Sequence, residues 1–371
     1  MKKLCHYFFT VVICANSSLL GAQNIFSEFE HLFTPVKSYV VYQCDSEIII
    51  DGKADDPSWN HAEWTKEFID IEGTEKPKPE YKTRVKMLWD ERYLYILAEL
   101  EEPHVWAYYK KPDLIVFEEN DFEVFIDPDG DTHNYFEIEI NAQNTIFDLF
   151  MAKPYRNGGV PLITWNTPGL KSAVFVDGTI NNSTDTDKKW CVEMAIPFEA
   201  LRLGVATQIP VENQVWKINF SRVQWQTEKE DGIYKRKKDP VSGRILPEDN
   251  WVWSAPSVIN MHFPERWGLL QFTTKTAGEQ KVAFQLNDDE ELKKYLWLVY
   301  YKQKKYQGEN KKYAETLTDL AIPDSIKTGS NETIQLQLVA SEFQFVAVLK
   351  SSNGIILTIN NDGLIQKTNQ K

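Results

Sequence analysis

The chain has 371 residues, 42% of them apolar, and a formal net charge of −13 at pH 7. A chain of this length and apolar content can bury a large core, which predicts a globular protein with two domains or one large domain and an appendage. The acidic balance argues against a nucleic acid as partner, because phosphates would be repelled.

The first 22 residues have the pattern of a secretory signal peptide. Two lysines precede an apolar run over residues 7–15, and small residues lead to Ala22. The run is too short to cross a bilayer, and no other segment reaches the roughly 20 apolar residues of a membrane helix. An alternative is a lipoprotein anchored through Cys14. We therefore expect a mature chain without a transmembrane segment that is secreted, periplasmic or on the cell surface.

Removal of residues 1–22 would take away two lysines and no acid, and the net charge would become −15. Cys44 and Cys191 would then be the remaining cysteines, and they lack the spacing of metal ligands. A disulfide between them and two free thiols both stay open, because a sequence does not give the distance between their Cα atoms.

Short alternating segments dominate the chain from about residue 40 to 274. "RVKMLWDERYLYILAEL" predicts a hairpin, and "NDFEVFIDPDGDTHNYFEIEIN" predicts a second one that turns over residues 128–133. Further strands are predicted in "KKWCVEMAIP", "VWKINF" and "RWGLLQF". Many half-buried strands with almost no helical period predict an all-β antiparallel sandwich.

The composition changes after about Gly278. "DDEELKKYLWLVYYKQKKY" predicts a helix with an acidic start, and a second short helix is expected over Lys312–Leu320. Three alternating segments then predict a meander, so this part is a smaller α+β domain. The predicted organisation is a signal peptide at 1–22, a β-sandwich at 23–277 and the α+β domain at 278–371.

The order of long helix, "KYAETLTDL" and meander resembles the soluble part of type IV pilins and pseudopilins over about 80 residues. The resemblance implies a fold for this part of the chain and no activity.

The acidic turn "DPDGD" raises the question of calcium. An EF-hand loop that began at Asp127 would need glycine where Thr132 stands and glutamate where Ile138 stands, so this is not an EF-hand. Asp127, Asp129 and Asp131 still offer oxygen ligands for a structural calcium ion, the one cofactor that the sequence suggests. A solvated turn is the alternative.

The paired strands of the second hairpin carry carboxylates that suit two kinds of chemistry. Glu123 with Glu137 or Glu139 would serve as the acid pair of a glycosidase or as acceptors for sugar hydroxyls. The serine-hydrolase GxSxG, the zinc motif HExxH, a phosphate loop and a CxxC pair are all missing from the sequence, which favours binding over catalysis. Aromatic residues make up 13% of the chain and would either fill the core or offer platforms to sugar rings.

Seven segments in order resemble the family 9 carbohydrate-binding modules over about residues 47–273. They are "IIIDGKADDPSWNHAEW", "KMLWDERYLYILAELEEP", "NDFEVFIDPDGD", "WCVEMAIPFEAL", "VWKINFSRVQW", "WVWSAP" and "PERWGLLQF". The resemblance implies a β-sandwich that binds glycans, with the terminal sugar held between two aromatic rings.

The resemblance also implies site residues. Phe117 falls at the first stacking ring, Glu123 at the glutamate that meets sugar hydroxyls, and Asn219 at the amide of a later strand. Glu137 falls where the family has a basic residue, so the charge is reversed. The second stacking tryptophan is replaced by residues 261–263, "MHF", which implies a different ligand.

Two further residues complete the predicted carbohydrate site. Trp251 lies close upstream of the missing ring and is its candidate replacement. Alternation places Arg222 on the apolar face of its strand, so either a bulge turns it outward or it pairs with a carboxylate. The sequence thus predicts a secreted glycan-binding protein, accessory to polysaccharide breakdown and without catalysis of its own. An envelope protein–protein interaction module and a glycoside hydrolase are the alternatives.

Overall fold

A computed structural model of the chain describes residues 24–204 and 209–368. The predicted signal peptide, with Cys14, lies outside the described residues. No helix in the described ranges is long and apolar enough to span a membrane.

The larger domain is built almost entirely of strands, joined by one short α-helix, α1 (Pro57–His61), and by 3₁₀ turns at Glu30–Phe33, Val116–Glu118, Tyr155–Asn157 and Pro264–Arg266. Its strands are β1 (Ser38–Gln43), β2 (Ile69–Asp70), β3 (Thr83–Trp89), β4 (Tyr93–Glu101), β5 (Asp121–Asp127), β6 (Tyr135–Asn141), β7 (Ile146–Met151), β8 (Pro161–Leu162), β9 (Lys171–Asp177), β10 (Lys189–Pro197), β11 (Val215–Gln224), β12 (Thr227–Glu230), β13 (Ile233–Arg236), β14 (Asp249–Val252) and β15 (Gly268–Thr276).

Thirteen of these strands form one sheet in the order β8-β7-β6-β5-β11-β15-β1-β3-β4-β10-β9, with β14 paired to β11 and to β2. The sheet folds over on itself, because side chains of β10 such as Trp190 and Met194 share one core with Trp216 and Phe220 of β11. The predicted β-sandwich is confirmed. Its pairings are antiparallel except those of β1, which runs parallel to both β15 and β3.

Alternation along β5 decides which side chains enter this core. Phe122, Val124 and Ile126 point between the two halves of the sheet and are fully buried there. The intervening residues therefore point to the opposite side, which we call the outer face of the β5–β6 hairpin. That face carries the acidic residues of β5, including Glu123.

The smaller domain consists of the helix α2 (Asp288–Asn310) and five antiparallel strands in chain order. They are β16 (Ser325–Lys327), β17 (Thr333–Ala340), β18 (Phe345–Ser351), β19 (Ile356–Asn360) and β20 (Ile365–Thr368). This confirms the predicted helix and meander. Residues 24–33 also pack into its core, where Phe26 meets Tyr295 and Phe29 stacks on Tyr301. Independent folding of residues 23–277 stays a prediction.

The second helix expected over Lys312–Leu320 is wrong, because the segment forms turns. The Gln303 side chain of α2 accepts a hydrogen bond from the Ala314 amide at 2.9 Å and donates one to the Ala314 carbonyl at 3.0 Å. These backbone groups are therefore not available to helical partners.

A buried ion pair joins the two domains. Glu290 of α2 lies 2.9 Å from the Lys217 ammonium group of β11 and also pairs with Lys293. Burial opposes a charge on Glu290, but the two ammonium groups outweigh it and hold the pKa of Glu290 at about 2. The carboxylate therefore stays ionised in the folded protein down to strongly acidic pH.

We predict that Glu290→Gln destabilises the protein at pH 7 by up to about 3 kcal/mol and by less in acid. Because the folded pKa of Glu290 lies below the unfolded value, its contribution is complete above about pH 4.5 and is lost as the pH falls toward 2. Urea unfolding of both proteins between pH 7 and pH 3 measures the difference. Glu291→Gln, which removes a half-exposed pair with Lys294, serves as the control. A stability difference that is the same at both pH values would contradict the prediction.

Candidate functional site

Four carboxylates meet on the outer face of the β5–β6 hairpin, and we call them the carboxylate cluster. Asp121 and Glu123 come from β5, and Glu137 and Glu139 come from β6, two residues apart in each strand. Glu123 stands directly opposite Glu139 in the antiparallel pair. All four residues are buried, and Glu123 has the largest exposed fraction, 6%.

The cluster has few partners. Both carboxylate oxygens of Asp121 are buried without a hydrogen-bond partner, as is one oxygen each of Glu137 and Glu139. The Ser221 hydroxyl, on the neighbouring strand opposite Glu123, is also buried; it favours the charged form of Glu123 without completing a hydrogen bond. Within residues 24–204 and 209–368, no lysine or arginine forms a salt bridge to the four carboxylates.

Burial is the largest cause of the pKa shifts at this site. It raises the pKa of Glu123 to about 7 and raises the pKa of Asp121, Glu137 and Glu139 well above their usual range, with repulsion from neighbouring carboxylates added for those three. The Nε2 atom of His262 lies 3.8 Å from Oε2 of Glu137. Burial and then Arg156 lower the pKa of His262 to about 4, so the imidazole is neutral at pH 7 and brings no positive charge to the cluster.

The pKa directions single out no acid pair of a glycosidase within the cluster. Such a pair needs one carboxyl group that stays neutral and another that is ionised, which requires environments that separate their pKa values. Here the same burial raises the pKa of every member of the cluster. The arrangement instead suits ligands that bring donors or positive charge.

Two exposed aromatic rings accompany the cluster. Phe117 is 41% exposed in the 3₁₀ turn before β5, and its main-chain amide favours the charged form of Glu139. Tyr155 is also 41% exposed and packs edge-on against His262, with ring centroids 4.4 Å apart. Burial and then the charges of Glu137 and Glu139 raise the pKa of Tyr155 to about 12, so its ring lies near the cluster.

The structure brings together Phe117, Glu123 and Glu137 of the predicted site but not the other three residues. Asn219 is fully buried and shares both ends of its amide with Ser254: Nδ2 donates to the Ser254 carbonyl at 2.7 Å, and Oδ1 accepts from the Ser254 amide at 3.0 Å. These bonds hold β11 to the segment after β14.

Arg222 and Trp251 lie on the opposite side of the sheet from the cluster. Arg222 stands between Phe122 and Trp251 in the strand register, and all three point into the sandwich. Of the two alternatives predicted for Arg222, pairing is the one observed. Its guanidinium donates to Glu102 at 3.0 Å and lies over the Trp251 ring at 5.2 Å. Trp251 is buried in the main core and does not replace the missing ring.

The segment that replaces the second stacking tryptophan contributes no exposed ring. Met261 is buried beneath the outer face, and Phe263 packs against the core of the smaller domain. The Nδ1 atom of His262 and the Tyr135 hydroxyl share a hydrogen bond of 2.8 Å. Tyr155, which the sequence analysis missed, is the exposed ring nearest to this place.

The acidic turn between β5 and β6 is held by its own backbone. Asp127 accepts hydrogen bonds from the amides of Gly130 and Thr132, both at 2.9 Å, and Asp131 accepts one from the His133 amide at 2.8 Å. Ligand oxygens of Asp127, Asp129 and Asp131 also lie within 4.8 Å of one another. Calcium binding at this turn stays a prediction.

Comparison with known proteins identifies the region that contains the site. A family model described as "Carbohydrate family 9 binding domain-like" matches residues 50–239, just over half of the chain. The resemblance found in the sequence is thereby confirmed.

Two curated relatives are 28% identical to this chain over 167 residues, which are 45% of the chain. They are Exoglucanase XynX from Acetivibrio thermocellus and Endo-1,4-beta-xylanase A from Thermoanaerobacterium saccharolyticum. The match spans only 13% and 12% of their respective lengths.

Among solved structures, a family 9 carbohydrate-binding module from Caldicellulosiruptor kristjanssonii is similar in complex with cellotriose and in complex with glucose. The cellotriose complex is 14% identical, covers 66% of this chain and 99% of its own, and gives a TM-score of 0.40. The glucose complex is 15% identical, covers 66% and 100%, and also gives 0.40.

We predict that Arg222→Met destabilises the larger domain by about 3–5 kcal/mol, because it leaves Glu102 buried without its cation. The double variant Arg222→Met/Glu102→Leu should recover a large part of that loss, since both charges are removed. Denaturant unfolding of the two single variants, the double variant and the wild type measures the coupling. Additive effects of the two substitutions would contradict a structural role for the pair.

Proposed function

Because this chain belongs to the carbohydrate family 9 binding domain-like family, we propose that it binds carbohydrate on the outer face of the β5–β6 hairpin. The observation that carries the proposal is the exposed ring of Phe117, a residue whose main-chain amide favours the charged form of Glu139, together with a set of carboxylates that have unused oxygens.

The chemistry of a sugar matches these two features. A pyranose ring has an apolar C–H face that packs on an aromatic ring, and Phe117 and Tyr155 both leave about two fifths of their surface open. Sugar hydroxyls donate hydrogen bonds, and carboxylates accept them with about 1.5–3 kcal/mol each. Glu123, the most exposed of the cluster, is the carboxylate that we expect a ligand to reach first.

The reversed charge at Glu137 supports a ligand rich in donors. A sugar with free hydroxyls supplies donors, whereas a sugar that carries a carboxylate or a sulfate would bring a negative charge to a face whose carboxyl groups form no salt bridge to a lysine or arginine in the described ranges. We therefore propose neutral oligosaccharides or polysaccharides as the ligand class.

The biological setting is a finer part of the proposal. We propose that the protein is exported and assists polysaccharide breakdown without cleaving the polysaccharide itself. The signal-peptide pattern supports export, and the names of the two curated relatives, an exoglucanase and an endoxylanase, support a link to polysaccharide-degrading systems. The match spans only 13% and 12% of these relatives, so we do not extend their enzymatic activity to this chain.

We predict that Phe117→Ala weakens binding of a neutral glycan by roughly tenfold or more, because a decade in affinity corresponds to ~1.4 kcal/mol of lost ring contact. A glycan array identifies the ligand, and calorimetry on that ligand gives the dissociation constants. Tyr155→Ala should weaken binding as well, and so should Glu123→Gln. Phe343→Ala removes a ring that is 84% exposed in the smaller domain and should leave the affinity unchanged.

Product analysis of the same mixtures tests the absence of catalysis. Wild-type affinity in both Phe117→Ala and Glu123→Gln would refute the proposed site. Release of shorter glycans by the wild type, abolished in Glu123→Gln, would instead establish a glycoside hydrolase.

A further inference from the structure

We propose that Asp121, Glu123 and Glu139 bind a divalent cation, with Ca²⁺ as the ion that fits them best. The site lies on the outer face of the β5–β6 hairpin and differs from the acidic turn that the sequence suggested. The proposal goes beyond carbohydrate binding and does not rest on it, and Glu123 belongs to both proposed sites.

The first observation is an imbalance of charge. Like charges directly opposite each other on paired strands are destabilising, and Glu123 faces Glu139 across the ladder. Burial makes this worse, because a buried ion is tolerated only with a partner of opposite charge. Arg222, on the other side of the sheet, has such a partner in Glu102. In the described ranges the cluster has no ammonium or guanidinium group paired with it.

The second observation is a set of buried oxygens on the outer face that lack hydrogen-bond donors. Asp121 is fully buried, and neither of its carboxylate oxygens has a hydrogen-bond partner. The amide of Val223, opposite Asp121 in the ladder, favours the charged form of Asp121 without completing a hydrogen bond. The Ser221 hydroxyl, opposite Glu123 on β11, is likewise fully buried; it favours the charged form of Glu123 without completing a hydrogen bond. Buried polar atoms are rarely left in this state, and a bound ion would satisfy them together.

The third observation is distance. One oxygen from each of Asp121, Glu123 and Glu139 lies within 4.8 Å of the other two. Calcium–oxygen distances of about 2.3–2.6 Å allow a single ion to contact three oxygens with that spacing. Glu137 and Ser221, on the same face, offer two further oxygens toward the six to eight that calcium takes.

The donor set also distinguishes calcium from other metals. The three grouped ligands are all carboxylate oxygens, which disfavours zinc and copper, since these prefer nitrogen or sulfur. Magnesium demands a near-ideal octahedron, whereas three carboxylates fixed by strand register form an irregular set that calcium tolerates. His262 is not one of the three grouped ligands: its Nε2 faces Glu137, and neither residue belongs to the set whose oxygens lie within 4.8 Å of one another.

The acidic turn serves as an internal comparison. At Asp127 both carboxylate oxygens already accept hydrogen bonds from main-chain amides, so an ion would have to share or displace them. At Asp121 no donor has to be displaced. The cluster is therefore the stronger of the two cation sites.

The test uses the full chain, stripped of metal with EDTA and dialysed. Calorimetric titration with CaCl₂ should show one ion bound per chain, and the melting temperature should rise with calcium concentration relative to EDTA. Magnesium at the same concentrations should give a weaker response. No sugar is present, so failure of this experiment is distinct from failure of glycan binding.

Asp121→Asn should weaken calcium binding at least tenfold and should melt in EDTA at or above the wild-type temperature, since it removes repulsion. If that variant does not fold, Glu139→Gln provides the same comparison. Glu228→Gln, an exposed acid of β12, should respond to calcium as the wild type does.

Three results would overturn the proposal. The first is the same melting temperature in calcium and in EDTA, with no heat of binding. The second is wild-type calcium affinity in both Asp121→Asn and Glu139→Gln. The third is a melting temperature that no longer rises with calcium in Asp129→Asn but still rises in Asp121→Asn. The last result would move the ion to the acidic turn.

Discussion

The central hairpin is constrained by the two-residue period of a β-strand, because a shift of one position would exchange its core face for its outer face. Phe122, Val124 and Ile126 fill the sandwich only if Asp121 and Glu123 point the other way. The register that stabilises the core therefore fixes the carboxylates with the precision of the sheet. A site placed on paired strands is held more rigidly than one placed on loops.

The two faces bury charge in different ways. On the core face, Arg222 is surrounded by Glu102, Thr83 and Gln224, each within hydrogen-bond distance. This network is complete, so it stabilises the packing and leaves nothing for a ligand. On the outer face the carboxylates are also buried, but several of their oxygens have no hydrogen-bond partner. Functional sites are often found where burial and like charges perturb ionisation together, and only the outer face has both.

The sequence was sufficient for the features that depend on local pattern. Alternation predicted the hairpins, the sandwich and the meander, and the ordered segments predicted the family. It also placed Arg222 on the core face, but its partner Glu102 lies about 120 residues earlier in the chain and had no local signal. Asn219 was predicted to contact the ligand, because the sequence does not show that Ser254 already binds its side-chain amide.

Some site residues were within reach of the sequence and others were not. Asp121 and Glu139 follow from the alternation that marked Glu123 and Glu137, since residues two apart share a face. Tyr155 lies in a 3₁₀ turn without periodicity, so only the packing against His262 shows its place. The turns over Lys312–Leu320 depend on Gln303, a side chain from another element, and local propensity alone favoured a helix there.

The parallel pairing of β1 has a consequence for how the chain folds. β15 enters the sheet between β11 and β1, although β1 and β15 are more than 200 residues apart in sequence. Contacts between such distant segments form slowly, because a long loop must be closed first. During synthesis the facing edges of β1 and β11 therefore stay without their neighbour until residue 276 has been made. Unpaired strand edges pair readily with other chains, so this interval is when the larger domain is most prone to misassembly.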